Sequence, residues 1–194
     1  ALVRKFGRYQ VERGNKAFDI HTNSYRVDAD VVPTFEYRSY TGEKNQHGAY
    51  LYHEGVKLIT DKGVSLINWP EQTYDNGVKR NDESARKYKR CIRIMKQLRN
   101  RMQKDNVLES NDIASFLIES LVWNTSPEAF SKNNYHDMIR WILAHTSNNT
   151  KSDELCNEWG EVNEMKYLFR PSQAWTRAKT NNFLNAAWNY IGYK

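Results

Sequence analysis

Residues 87–102, KYKRCIRIMKQLRNRM, restrict the possible folds of this chain more than any other stretch. At about 100° of rotation per residue, Arg86, Lys89, Arg93, Lys96 and Asn100 fall on one stripe of a helix. Tyr88, Cys91, Ile92, Met95, Leu98 and Met102 fall mostly on the opposite stripe. Such a helix must bury its apolar side on a larger body and leave its cations to water or to a ligand. Asn81 can cap it, and Asp82 and Glu83 complement its positive end, so a helix is predicted over 81–104. Residues 79–104 hold eleven Lys or Arg against two acids, so the segment carries +9 while the rest of the +6 chain carries −3. A partner bearing phosphates is therefore favoured at this one place, although a solvated helix face gives the same pattern.

The chain ahead of this helix is strand-like, and the chain behind it is helical. Residues 1–14 read as the tail of a helix and a loop, and a strand follows near 16–22 with a turn at Asn23-Ser24. Residues 25–40 are rich in β-formers, 41–48 form a polar loop, and 50–60 and 64–69 pair about Asp61-Lys62-Gly63. Ser110 or Asn111 caps a helix over 112–123. Ser126-Pro127-Glu128 opens another that runs to 145. A polar linker at 147–151 then leads to a helix broken near Gly160 and to a last helix over 172–191. Strands followed by helices predict an α+β chain, with a β-rich domain at 1–80 and a helical lobe at 81–194.

Composition narrows the class. With 39% hydrophobic residues and six Trp, the 194 residues can bury one good core. No apolar run approaches the eighteen or so residues that span a bilayer, and the opening ALVRKFGRYQ lacks the features of a secretory signal. Cys91 and Cys156 show neither metal nor redox spacing, so two reduced, buried thiols in a cytoplasmic protein are expected. The five His show no metal spacing either. Trp175, Phe183, Trp188 and Tyr190 suit a core, with docking of a protein partner as the other use of these aromatics.

The chemistry-bearing candidates are few. In RVDADVVP (26–33), Asp28 and Asp30 are two apart and share one side of a strand. Val31, Val32 and Phe35 imply that this strand is packed, so an acid at its end needs a cation or a metal ion; on an exposed strand the same pair is merely solubilising. Magnesium takes such hard oxygen ligands. Lys89 and Lys96 are two turns apart on one face, within reach of a triphosphate. Ser110, at a helix start, offers a hydroxyl and backbone N–H groups to an anion, or serves only as a cap. Metal-binding carboxylates beside a cationic stripe point to phosphoryl or nucleotidyl transfer.

These pieces also recur together in order. VDADVVPTFEYR, GVKLITDKGVSLINWPEQTYDNGVKRN, SARKYKRCIRIMKQLRNRM and DIASFLIESLVWN resemble the bacterial CD-NTases, relatives of cyclic GMP–AMP synthase and oligoadenylate synthase. That resemblance implies a polymerase-β-like nucleotidyltransferase making cyclic di- or trinucleotide messengers in CBASS anti-phage defence, with Mg2+ or Mn2+ in a two-ion mechanism and NTP substrates such as ATP. By the same resemblance Asp30 is the third metal carboxylate and helps activate the attacking hydroxyl, with Asp28 its same-face neighbour. Lys96 contacts the donor triphosphate, Ser110 looks like the family's serine, Lys89 and Arg93 share the cationic face, and Asn76 is a candidate substrate contact. Trp69-Pro70 and Asn76-Gly77 resemble the segment leading into the helix that joins the lobes.

One departure stands out. Family members carry a Gly-Ser turn and an Asp-X-Asp strand ahead of the third acid, and residues 1–27 contain neither. The chain is therefore expected to be the C-terminal portion of such an enzyme, inactive by itself, with the missing N-terminal segment or a CBASS regulatory protein as a partner. A non-catalytic nucleotide- or nucleic-acid-binding domain is the alternative.

Overall fold

Short runs of β-branched and aromatic residues, separated by Gly and Asn turns, fold the first part of the chain into two small antiparallel sheets. The computed structural model describes residues 1–193. After α1 (Leu2–Phe6), strands β1 (Val11–Arg13), β2 (Phe18–Ile20) and β3 (Ala29–Val31) lie in the order β1-β2-β3. Strands β4 (Phe35–Lys44), β5 (Tyr50–Ile59) and β6 (Ser65–Asn68) form a second meander. β2 and the β5–β6 hairpin stand where the sequence predicts strands, whereas β1 replaces part of an expected loop. β4 extends through much of the supposed polar loop, leaving a tight turn that Asn45 closes by accepting from the Ala49 N–H on its side-chain oxygen at 3.1 Å. The two sheets are tied together where Arg13 meets Asp61 at 2.6 Å.

Gly55 of β5 shows why a residue without a side chain is needed there. A Cβ at this position would stand 2.7 Å from the indole of Trp69 and 2.9 Å from the Asn68 carbonyl. Trp69 is buried and meets the ring of Tyr37 edge-on at 5.7 Å. It holds the second sheet together, in line with its structural reading.

Pro70 opens α2 (Pro70–Glu83) with Glu71 in its first turn, a combination suited to a helix start. The helix predicted over 81–104 is thus two helices. Asn81 lies inside α2, and α3 (Lys87–Lys104) begins after a bend in which Ala85 and Arg86 adopt φ of 49° and 63°. Ser84 Oγ accepts from the N–H of Tyr88 at 3.0 Å, and Asn81 Oδ1 accepts from that of Lys89 at 3.2 Å. Asn81 therefore does cap the basic helix, from within the preceding one. The chain divides into two compact units, Ala1–Glu71 and Gln72–Lys194, where the sequence suggests 80/81.

The second unit is helical: α3, α4 (Ser115–Trp123), α5 (Tyr135–Asn149) and α6 (Arg177–Ile191) share one core. Tyr88, Met95, Leu117, Leu121, Ile142 and Phe183 are fully buried in it. Each such side chain stabilises the fold by about 1.5–3 kcal/mol before its ordering entropy is subtracted. The predicted apolar stripe of α3 is the buried one: Tyr88, Cys91, Ile92, Met95 and Met102 all face the core.

Several helix boundaries differ from expectation. Pro127 starts only a 3-10 turn (Pro127–Ser131), and α5 begins at Tyr135 under an Asn134 cap that accepts from Asp137 N–H at 2.9 Å. The supposed linker 147–151 largely continues α5, because Thr146 and Thr150 return their hydroxyls to the carbonyls of Ile142 and Thr146. Ser147 donates to Asn185 Oδ1 at 2.6 Å, and Asn181 donates to the Ser147 carbonyl at 2.7 Å, so these polar residues form a seam between α5 and α6. Residues 151–176 are irregular rather than helical. Arg177 fastens their start by donating to the carbonyls of Thr150 and Lys151. No helix among the described residues is long and apolar enough to cross a membrane.

Candidate functional site

The polar side of α3 is not a uniform cationic stripe. Lys96 is half-buried and donates to Glu119 of α4 at 3.2 Å. One turn on, Arg99 donates to the carbonyl of Ile113 and, at 3.1 Å, to the hydroxyl of Ser115. Ser115 is the first residue of α4, and the preceding Ala114 has no side-chain oxygen with which to cap the helix. One cation, a hydroxyl and a helix N-terminus thus meet at one place, with the Lys96–Glu119 pair a turn further along α4, a combination that favours a phosphate. The carboxylate of Glu119 holds the Lys96 ammonium within this cluster.

Ser115 is absent from the sequence-derived candidates. Ser110 and Asn111 are better caps by residue type than Ala114, so the reading starts the helix there and places Ser115 in its interior. The signal available is Ser115 itself, four residues before Glu119 and so on the same helix face. Ser110 instead ends a 3-10 turn, is fully buried, and donates its hydroxyl to the Val107 carbonyl at 2.6 Å. Its own carbonyl accepts from Gln103 at 2.9 Å.

The other candidates disperse. Lys89 Nζ sits over the Tyr74 ring, 5.8 Å from its centre. Arg93 is exposed and borders an apolar groove with Ile94 and Leu98. Asn76 donates to the Val162 carbonyl at 2.8 Å and so pins the irregular 151–176 stretch.

The acids lie in the first unit. Asp30 is on β3, directly opposite Asp19 of β2. Asp28 precedes the strand and accepts from the Thr22 N–H at 2.5 Å, which closes the β2–β3 connection. The expectation of a packed strand is corrected: β3 is an edge strand, exposed throughout, and Val31, Val32 and Phe35 are exposed as well. Burial therefore does not oblige Asp30 to find a cation; the cross-strand carboxylate of Asp19 instead places two negative groups side by side. Among the described residues no group of three or more His, Cys, Asp or Glu could hold a metal ion.

Burial marks the helical core by its effect on ionisation. It holds the Tyr88 hydroxyl well above its ordinary pKa, with the nearby Glu119 carboxylate acting in the same direction. It also pushes the Cys91 thiol up to about 11. Cys91 and Cys156 are both free and buried, as the spacing predicts.

Comparison with known proteins matches residues 75–192 to the cGAS/DncV-like nucleotidyltransferase C-terminal helical domain. The chain is 38% identical over its 194 residues to the cyclic dipyrimidine nucleotide synthase CdnE of Cecembia lonarensis, covering 64% of that protein. It is 39% identical over 191 residues to the corresponding Legionella pneumophila synthase, covering 62%. It thus spans less than two thirds of the length of these curated relatives. Among solved structures, it resembles the Elizabethkingia meningoseptica CdnE cyclic dinucleotide synthase with GTP and Apcpp, with a TM-score of 0.85 and 32% identity over 99% of this chain and 68% of that one. Because the match takes in nearly the whole helical unit and the likeness extends through both sheets, the chain belongs to the cGAS/DncV-like nucleotidyltransferases.

Proposed function

We propose that this chain supplies the C-terminal portion of a nucleotidyltransferase that joins nucleoside triphosphates, ATP among them, into a cyclic oligonucleotide for anti-phage defence of the CBASS type. The observation that carries this reading is the meeting of Arg99 and Ser115 at the uncapped start of α4, with Lys96 held by Glu119 one turn further on, inside the domain that matches the family. In this reading Lys96 and Arg99 neutralise donor phosphates, and Ser115 with the first N–H groups of α4 orients them. Glu119 positions Lys96. The Elizabethkingia relative was solved with GTP and Apcpp, which supports triphosphates as the ligand class.

Asp30 is proposed as a metal-binding carboxylate. Exposed and faced by Asp19 across the strand pair, it offers hard oxygens that suit Mg2+ or Mn2+ as part of a coordination shell, although the described residues do not make a complete one. A bound divalent ion in such a site lowers the pKa of an attacking hydroxyl and offsets charge on the phosphates. Two ions are needed for in-line transfer, so the 194 residues alone are expected to release no cyclic product with Mg2+ or Mn2+ and the four NTPs. Product above background would overturn this. A cytoplasmic location accords with the two free thiols.

The direct test is titration of the chain with Apcpp and Mg2+ by calorimetry. Lys96→Ala and Ser115→Ala should each weaken binding, Lys96→Ala by about tenfold or more, since a charge-assisted hydrogen bond contributes roughly 1.5–3 kcal/mol. Unchanged affinity in Lys96→Ala would remove the α3–α4 cluster from the phosphate site. A nucleic-acid interface would instead show affinity falling steeply with salt. That second reading is less favoured, because the cations of α3 are divided among several surfaces: Lys89 lies over the Tyr74 ring, Arg93 borders the apolar groove, and Lys96 and Arg99 turn to α4.

A further inference from the structure

Another side of α3 borders a groove of about 560 Å³ that the start of α5 and the end of α6 close. Its floor is apolar: Ile94, Leu98, Ile139 and Ile191 contribute to it, and Ile191 is 36% exposed. One end is fixed by Tyr193, which donates its hydroxyl to the His136 carbonyl at 3.1 Å and sets its ring edge-on to the imidazole at 5.0 Å. Cations predominate along the α3 side, where Arg93 makes no ion pair among the described residues while Arg101 is paired with Asp105 at 3.1 Å. Arg93 and Arg101 stand on the α3 rim, and no acidic side chain lines the groove. Arg90 lies one turn before, its guanidinium donating to the Tyr135 hydroxyl at 3.0 Å.

The spacing of the α3 rim tells what fits. Positions 93–94, 97–98 and 101 recur every three or four residues, so the rim runs along α3 for a little over two helical turns, or about 12 Å. An apolar trough of that length with Arg93 on its bank and Arg90 one turn before is complementary to a helix of about two turns or more with apolar residues on one face and carboxylates beside them. We propose that this groove docks a short acidic amphipathic helix of a partner protein. The surface is separate from the Lys96–Glu119 cluster, because the groove lies on a different side of α3, and the proposal is independent of the nucleotide reading.

The probe is a fluorescein-labelled peptide of about 14 residues with Leu at helical i, i+3, i+4 and i+7 spacing and Glu at flanking positions, read by fluorescence anisotropy against the 194-residue chain. Saturable binding is expected, and a scrambled peptide of the same composition should lose it. Arg93→Glu should weaken the acidic peptide at least about tenfold and gain binding of a peptide with Lys in place of Glu. Ile191→Asp should weaken both, and circular dichroism checks that each variant remains folded. Equal binding of the scrambled peptide, or indifference to the charge swap, overturns the proposal. So does an absence of peptide binding by a chain that light scattering shows to self-associate in an Ile191-dependent way, since the occupant is then a second copy.

Discussion

A few side chains decide much of what this chain can do, and each can be tested singly. Gly55→Ala should destabilise the first unit by about 1–3 kcal/mol, because the added methyl overlaps the Trp69 ring and the Asn68 carbonyl; a fall in the urea midpoint measures it. Asp30→Asn should do the reverse, raising stability by roughly 0.2–1 kcal/mol at neutral pH by removing one of two opposed carboxylates. In an active protein containing this chain, that same change should abolish synthesis, and a loss of activity in a more stable protein cannot be blamed on unfolding. Cys91 supplies a pH test. Its pKa rises from an ordinary value near 9 to about 11 on folding, so the folded state retains the proton longer. The associated stability is fully present below pH 9 and is lost as pH rises from about 9 towards 11, at most roughly 1.4 kcal/mol per pH unit of difference. Labelling of native Cys91 by iodoacetamide at pH 8 should accordingly be much slower than labelling of the unfolded chain.

At the scale of elements, periodicity was informative and punctuation was less so. The buried stripe of α3 is legible because one residue in three or four is large and apolar, a pattern that no neighbouring element has to complete. The start of that helix is not legible in the same way, since Asn81, Asp82 and Glu83 resemble an N-terminus yet end α2. What makes the bend is Ser84, which takes the Tyr88 N–H, together with two residues of positive φ. Ser84→Ala should cost about 1 kcal/mol, and Arg86→Gly should recover up to roughly 1 kcal/mol by relieving a left-handed backbone; thermal denaturation of both variants measures the pair. The polar residues 147–151 read as a linker because partners of Ser147 and Thr150 lie more than thirty residues away on α6, beyond any local window. The phosphate-suited cluster was half visible for a similar reason. Lys96 announces itself by charge and spacing, but Ser115 gains meaning only once Arg99 reaches it across the α3–α4 turn.

For the molecule as a whole, the acids and the cationic cluster belong to different compact units. Lys96→Ala should lower stability by no more than about 1 kcal/mol, since its ion pair with Glu119 is partly open to solvent, while its effect on Apcpp binding should be larger. Calorimetric unfolding set beside the binding titration separates the two. The α5–α6 seam carries a consequence for the order of assembly. Asn181 and Arg177 seek carbonyls that are brought into register only after the end of α5 has coiled, so α6 has no template until its neighbour exists. Amide protons of α6 should therefore gain protection from deuterium exchange after those of α5 during refolding, which gives the helical lobe a direction of growth along the polypeptide.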